Sequence, residues 1–245
     1  MMIKILFVFI LLMGLQTEAS AQRVDYEVEG KIFEGHFVSP SAGAPLIIMV
    51  HDWDGLTDYE RKRSSMLVEL GYAVFAIDLY GKGIRPSTFD EKRKLSGDLY
   101  RDRISMRRRL VGALKAVATL GGNLENAVAI GYCFGGAVTL ELARSGVNFK
   151  GFVSFHGGLA TPDGQNYQHT HGKLLIMHGS ADKNVSLQEF ATLAAELEQY
   201  QINHEMITYS GAPHAFTIFN SDRYRADADK KSWQRFILFL AETLR

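Results

Sequence analysis

The run Ala127-Val128-Ala129-Ile130-Gly131-Tyr132-Cys133-Phe134-Gly135-Gly136 carries more information than any other part of this 245-residue chain. Its first residues are uninterruptedly apolar, as in a strand buried on both faces. After Cys133 the pattern changes to that of a helix, predicted over Phe134 to Arg144. The junction reads Gly-x-Cys-x-Gly. That spacing has a steric reason: a side chain held in a tight strand-to-helix turn needs glycines two residues to either side so that strand and helix can approach closely. The cysteine then stands above the carboxyl end of the strand, with the first N–H groups of the helix beside it. A helix N-terminus also favours a thiolate.

Outward from this junction, strands and helices alternate. Val24 to Gly30 and Lys31 to Val38 are predicted to form an antiparallel hairpin at a sheet edge. Leu46 to His51 and Ala73 to Ile77 read as buried strands, separated by a helix over Asp58 to Leu70 with Met66, Leu67 and Leu70 on its inner face. Gly81 to Ser87 is a loop, and Asp98 to Leu120 is predicted as one long helix with Ile104, Leu110, Leu114, Val117 and Leu120 inward. Strands follow at Phe149–Phe155, Leu174–His178 and His204–Tyr209, and helices at Leu187–Tyr200 and Asp227–Leu244. The alternation predicts an α/β fold with a mostly parallel central sheet covered by helices on both faces. No linker divides residues 22–245, so a single domain is expected there.

A cysteine nucleophile needs a base, and the base an orienting acid. Gly-x-Cys-x-Gly in this context has the form of the nucleophile elbow of α/β-hydrolases, where acid and histidine follow the nucleophile in that order. Leu174 to Asp182 is a strand running into a polar loop that ends at Asp182. Met206 to Phe216 is a strand running into Ser210-Gly211-Ala212-Pro213-His214. The separations of 49 and 32 residues are those of one βαβ unit and one further βα loop.

These stretches, with His51-Asp52-Trp53-Asp54-Gly55-Leu56 and Asp78-Leu79-Tyr80-Gly81, resemble the dienelactone hydrolase family across most of the chain. The resemblance implies an α/β-hydrolase fold and a Cys133, Asp182, His214 triad that cleaves an ester or lactone through an acyl-enzyme. It implies an acidic residue that contacts the resting cysteine; Glu is usual there, and this chain has Asp52. It implies an oxyanion hole from the backbone N–H groups of Trp53 and Phe134. The family's namesake holds its substrate's carboxylate with arginines. At those places this chain has Lys82, with Arg85 nearby, and Ile218, so the anion clamp is at best half kept. His156, at the end of a strand, is expected to line the substrate pocket. No cofactor or metal ligand set is expected.

Composition narrows the alternatives. Lys plus Arg and Asp plus Glu are both 27, and a nucleic-acid binder shows a basic excess. The Arg-rich stretch Arg101 to Arg109 is therefore read as solvated charge around a helix, and no nucleic-acid partner is expected. Cys133 is the sole cysteine, which excludes an internal disulfide. Lys4, the apolar run Ile5 to Leu15 and Ala19-Ser20-Ala21 form a signal-peptide pattern over residues 1–21. The run is too short for a bilayer span, so an exported protein, periplasmic or secreted, is expected without stable membrane insertion. Two other functions fit the same fold: a small-molecule carrier that has lost efficient chemistry, and a thiol-redox protein using the lone cysteine. The pattern does not specify an oligomer.

Overall fold

Strand β3 (Pro45–Val50) shows how the interior is organised. Its side chains alternate between two cores, with Leu46, Ile48 and Val50 on one side and Ile47 and Met49 on the other. Strand β5 (Asn123–Tyr132) does the same, Ala127 and Ala129 facing one core and Val128, Ile130 and Tyr132 the other. A strand buried on both faces has no polar side to show, which is why these segments read as continuous apolar runs.

The computed structural model describes residues 20–244. The remaining strands are β1 (Ser20–Val28), β2 (Lys31–Ser39), β4 (Ala73–Ile77), β6 (Gly151–Phe155), β7 (Lys173–Gly179) and β8 (His204–Tyr209). They form one eight-stranded sheet of order β1-β2-β4-β3-β5-β6-β7-β8. The first two strands make an antiparallel hairpin, β2 is antiparallel to β4, and every later pairing is parallel. Helices α1 (Asp58–Val68) and α6 (Ala226–Thr243) supply Leu67, Val68, Phe236, Phe239 and Leu240 to one core. Helices α2 (Phe89–Arg101), α3 (Arg103–Thr119), α4 (Phe134–Arg144) and α5 (Leu187–Gln199) cover the other. The mostly parallel, helix-covered sheet expected from the alternation is observed, and it has the α/β-hydrolase form that the family resemblance implies. The expected export signal lies outside the described residues except for Ser20 and Ala21, which open β1. Among the described residues no helix is long and apolar enough to cross a membrane.

Two helix readings need correction. The single helix over Asp98–Leu120 is two. Helix α2 begins nine residues earlier than expected, after a capping box of Thr88 and Glu91, and ends at Arg101. Asp102 leaves helical geometry at φ −113° and ψ 77°, and its carboxylate accepts the Ser105 N–H to start α3. The restart re-phases the inner face onto Met106, Leu110, Ala113, Leu114 and Val117, leaving Ile104 65% exposed and Leu120 at the frayed end. In α1 the helix closes at Val68. Leu70 lies beyond it and is half exposed, and the buried face carries Glu60, Arg63 and Ser64 beside Leu67 and Val68.

Nor is the arginine stretch all solvated. Arg103, Arg107 and Arg144 converge with the Gln165 amide on the fully buried Glu141 at 3.5, 2.7, 3.0 and 3.0 Å. Arg109 donates to the Leu79 carbonyl, and Arg108 pairs with Glu29 at the surface.

Candidate active site

Three parallel strands deliver the chemistry to their carboxyl ends. β5 runs into Cys133, which is held at φ 49° and ψ −110° between Tyr132 and the first turn of α4. A non-glycine residue at positive φ is strained, and such strain is sustained where the surroundings over-determine it. Here they do. A Cβ on Gly131 would meet the Gly135 carbonyl oxygen at 2.0 Å, and one on Gly135 would meet the Val50 carbonyl oxygen at 2.3 Å. Strand, turn and helix are therefore packed backbone to backbone, and the cysteine side chain is left as the free projection.

β7 ends in the loop that carries Asp182. Its Oδ1 accepts the N–H groups of Asn184 and Val185 at 2.8 and 3.0 Å, and its Oδ2 accepts the His214 Nδ1–H at 2.8 Å. Burial raises its pKa, but the hydrogen bond and charge of His214, with those two N–H groups, reverse this and leave it below the usual carboxylate range. The loop after β8 brings His214 Nε2 to 3.0 Å from Cys133 Sγ. A neutral His214 that donates from Nδ1 presents a bare Nε2 to the thiol, as a general base must.

Asp52 follows β3 and is buried against the thiol. Each of the Asp52 and Cys133 side chains shifts the other's proton affinity, and Asp52 Oδ1 accepts the Trp53 N–H. Burial, reinforced by the neighbouring Asp54, pushes Asp52 up to about 6. Burial and the Asp52 charge together push the Cys133 thiol well above its ordinary value, while the Phe134 N–H at the sulfur works the other way. The upward shift favours the protonated thiol at rest, with His214 Nε2 3.0 Å from the sulfur.

The Trp53 N–H, expected as an oxyanion donor, is occupied at rest by Asp52 Oδ1. Its position is fixed from two sides: the Tyr80 hydroxyl donates to the Trp53 carbonyl at 2.9 Å, and His51 anchors the preceding residue. His51 donates from Nδ1 to the Asp52 carbonyl and accepts the Leu79 N–H at Nε2, so both ring nitrogens are used within the loop. The Phe134 ring sits among His51, Tyr80 and Tyr100, and Trp53 stands edge-on to Phe89, which is 63% exposed. In the sequence His51 and Tyr80 stand out only as members of their motifs and Tyr100 not at all; an aromatic-rich stretch is equally a core pattern.

The residues expected to bind substrate are placed differently. Lys82 is paired with Asp25 at the surface, and Arg85 lies 3.8 Å from the buried Asp78. His156 is fully buried beneath the triad instead of lining a pocket: its Nδ1 receives the Cys133 N–H at 3.2 Å and its Nε2 meets Thr217 Oγ1 at 2.8 Å. A ring with no exposed surface and both nitrogens taken has nothing left to offer a ligand. Among the described residues, no His, Cys, Asp and Glu side chains cluster as they would to hold a metal ion.

The chain and its fold are similar to those of known proteins. The model of the dienelactone hydrolase family matches residues 33–244. The chain belongs to the dienelactone hydrolase family. A relative from Synechocystis sp., named "Putative carboxymethylenebutenolidase", is 25% identical over 223 residues, covering 82% of this chain and 88% of its own. Among solved structures, a dienelactone hydrolase-like promiscuous phosphotriesterase from metagenomic libraries is 28% identical, with a TM-score of 0.85 over 93% of this chain and 99% of its own. An acylaminoacyl peptidase of Pyrococcus horikoshii, 16% identical, shares the fold alone: it gives a TM-score of 0.72 over 92% of this chain and 42% of its own. Membership of this family makes the protein a hydrolase of the ester and lactone type, acting on a small-molecule substrate.

Proposed function

We propose that this dienelactone hydrolase family member cleaves a carboxylic ester or lactone by acyl transfer from Cys133 to water. The observation that carries the reading is the continuous contact from Sγ to Nε2 at 3.0 Å and from Nδ1 to Oδ2 at 2.8 Å, built on a left-handed turn. Substrate entry brings a carbonyl oxygen to the Trp53 and Phe134 N–H groups and displaces Asp52 from the first of them. The thiol proton passes to His214, directly or through Asp52, and sulfur attacks the carbonyl carbon. The oxyanion is held by the two N–H groups, whose individual loss in such sites costs ~10²–10³ in rate. His214 protonates the departing alkoxide, giving the acyl-enzyme. A water deprotonated by His214 then attacks, the C–S bond breaks, and the proton returns to sulfur.

The substrate we favour lacks a carboxylate. Lys82 and Arg85 already have acidic partners and Ile218 offers no charge, whereas Trp53, Phe89, Tyr100 and Phe134 give an apolar surround. Export by the signal pattern of residues 1–21 is part of the proposal. Among the described residues, cleavage after Ala21 removes the pairings of Ser20 and Ala21 with Ser39 and Val38, and leaves Gln22 to Val28 paired along β2.

The test is hydrolysis of a nitrophenyl ester series, a dienelactone and a phosphate triester by the chain from Gln22 onward and by its Cys133→Ala variant. The triester is included because one relative is named for that activity. Short neutral esters are expected to turn over at least ~10⁴-fold faster with wild type than with the variant. Equal rates for the two on every substrate would overturn the acyl-enzyme reading and leave a carrier.

A further inference from the structure

A chain of buried polar groups lies behind the triad and is not used by the chemistry above. Arg63, buried in α1, donates from Nε to the Tyr59 hydroxyl at 3.2 Å, and its Nη2 bonds the Thr217 carbonyl and Asp229. The guanidinium is also enclosed by the rings of Phe219 and Trp233 at 4.3 and 4.8 Å. The Tyr59 hydroxyl meets Thr217 Oγ1 at 2.8 Å, Thr217 Oγ1 meets His156 Nε2 at 2.8 Å, and His156 Nδ1 receives the Cys133 N–H at 3.2 Å. Thr217 lies three residues beyond His214, and the His156 ring stands edge-on to the His214 ring at 5.5 Å.

Hydrogen-bond polarity runs one way along this chain. The Cys133 N–H can only donate, so His156 Nδ1 must be bare and Nε2 must carry the proton. Thr217 Oγ1 therefore accepts from His156, and its own proton goes to the Tyr59 oxygen. Burial, and next to it the charge of His214, hold His156 well below the ordinary histidine range, with Asp182 opposing and Arg63 adding to the effect. The groups facing it thus keep the ring neutral, which an imidazolium at His214 tolerates.

We propose that Arg63, Tyr59 and Thr217 fix the tautomer of His156, and that His156 is thereby a positioning residue: it holds the strained Cys133 turn so that sulfur stays in reach of His214. The inference rests on Cys133 being the nucleophile of the proposed reaction. Inverting the tautomer sets an Nδ1–H against the Cys133 N–H. Two donors cannot share that space, and the turn, left with the Phe155 carbonyl as its other acceptor, relaxes.

The experiment replaces Thr217 with Val, which keeps its shape and removes the acceptor, and with Ser, which keeps it. Because Cys133 is the sole cysteine, its alkylation by iodoacetamide as a function of pH reports thiolate formation whether or not any ester is hydrolysed. Thr217→Val is expected to raise the alkylation midpoint and to lower kcat about tenfold with KM unchanged. Thr217→Ser should restore both. Placing Thr217→Val on His156→Asn, which retains an acceptor toward Cys133 and cannot tautomerise, should add nothing further. Should Thr217→Val fail to fold, Tyr59→Phe serves in its place: it deprives the Thr217 proton of its acceptor and is expected to shift the alkylation midpoint in the same direction, by less. A folded Thr217→Val with the wild-type alkylation profile, or an effect that simply adds to that of His156→Asn, would overturn the proposal. Wild-type protein that alkylates normally but hydrolyses no ester would sink the functional reading alone, and the alkylation profiles would still decide this one.

Discussion

Asp52 and Glu141 are both buried carboxylates, and they behave in opposite ways. Burial is the largest influence on each and pushes each pKa up. Around Glu141, Arg144 and Arg107 more than reverse that push, so the group sits below the usual range and stays ionised. Around Asp52 the leading opposing influences are the Trp53 N–H, the thiol and His214, with Asp54 adding repulsion, and it rises to about 6. Burial of both side chains thus accompanies a structural anchor in one place and a group poised to exchange protons in the other. The cations beside Glu141 are what reverse the effect of burial there.

The sharpest way to break this contrast is to neutralise each carboxylate. Glu141→Gln leaves Arg144 and Arg107 facing a neutral amide, and removing one partner of a buried ion pair costs ~3–5 kcal/mol. The expected outcome in urea unfolding is an unfolding free energy lowered by that amount, with specific activity of the folded fraction retained. Asp52→Asn should do the reverse. Its unfolding midpoint near neutral pH should not fall, while kcat/KM on a short ester drops about 10–100-fold, the usual size of a general acid–base contribution at its lower end. Loss of stability without loss of activity in Asp52→Asn would erase the distinction.

The pH dependence sharpens it further. A carboxyl whose folded pKa is raised binds its proton more tightly in the folded state. Its contribution is complete below the unfolded value of 3.8 and is lost as pH rises through about 6. Wild type is therefore expected to lose melting temperature between pH 4 and 6 relative to Asp52→Asn, by the equivalent of about 1–3 kcal/mol. Glu60, buried in its capping box and pushed up to about 7, extends the same trend to higher pH in both proteins. Glu141 and Asp182 have the opposite sign and cost stability only as the solution becomes more acidic than their unfolded values. The smallest effect belongs to Arg103→Ala. Its contact with Glu141 is long at 3.5 Å, and Arg107, Arg144 and Gln165 remain, so thermal unfolding should register less than ~1 kcal/mol.

Sequence spacing served the two carboxylates unequally. Cys133, Asp182 and His214 were legible because each follows an apolar strand in a fixed order, and that order is a property of the chain alone. The parallel sheet and its edge hairpin were legible for the same reason. Glu141 was not, because two of the three arginines that hold it, Arg103 and Arg107, sit 38 and 34 residues upstream on another helix, and nothing local distinguishes them from solvated charge. Asp102 looked like one more polar residue on a helix, since a cap shows itself only when the backbone turns. His156 read as a pocket residue by its place at a strand end, yet its fate depends on Thr217, 61 residues away. Lys82 and Arg85 carry the right charge, but their pairing with Asp25 and Asp78 is set by tertiary approach.

The backbone contacts around the turn have a consequence for descent. At Gly131 and Gly135 even a methyl group would strike a carbonyl oxygen of the adjoining chain, so those positions are frozen. Cys133, midway between them, is held by that frame at a strained backbone angle, and its side chain projects away from the backbone packing. A lineage built this way can exchange its attacking atom, sulfur for oxygen, in a single substitution while the scaffold stays put. Its reaction is open to selection at one position and closed at the positions beside it.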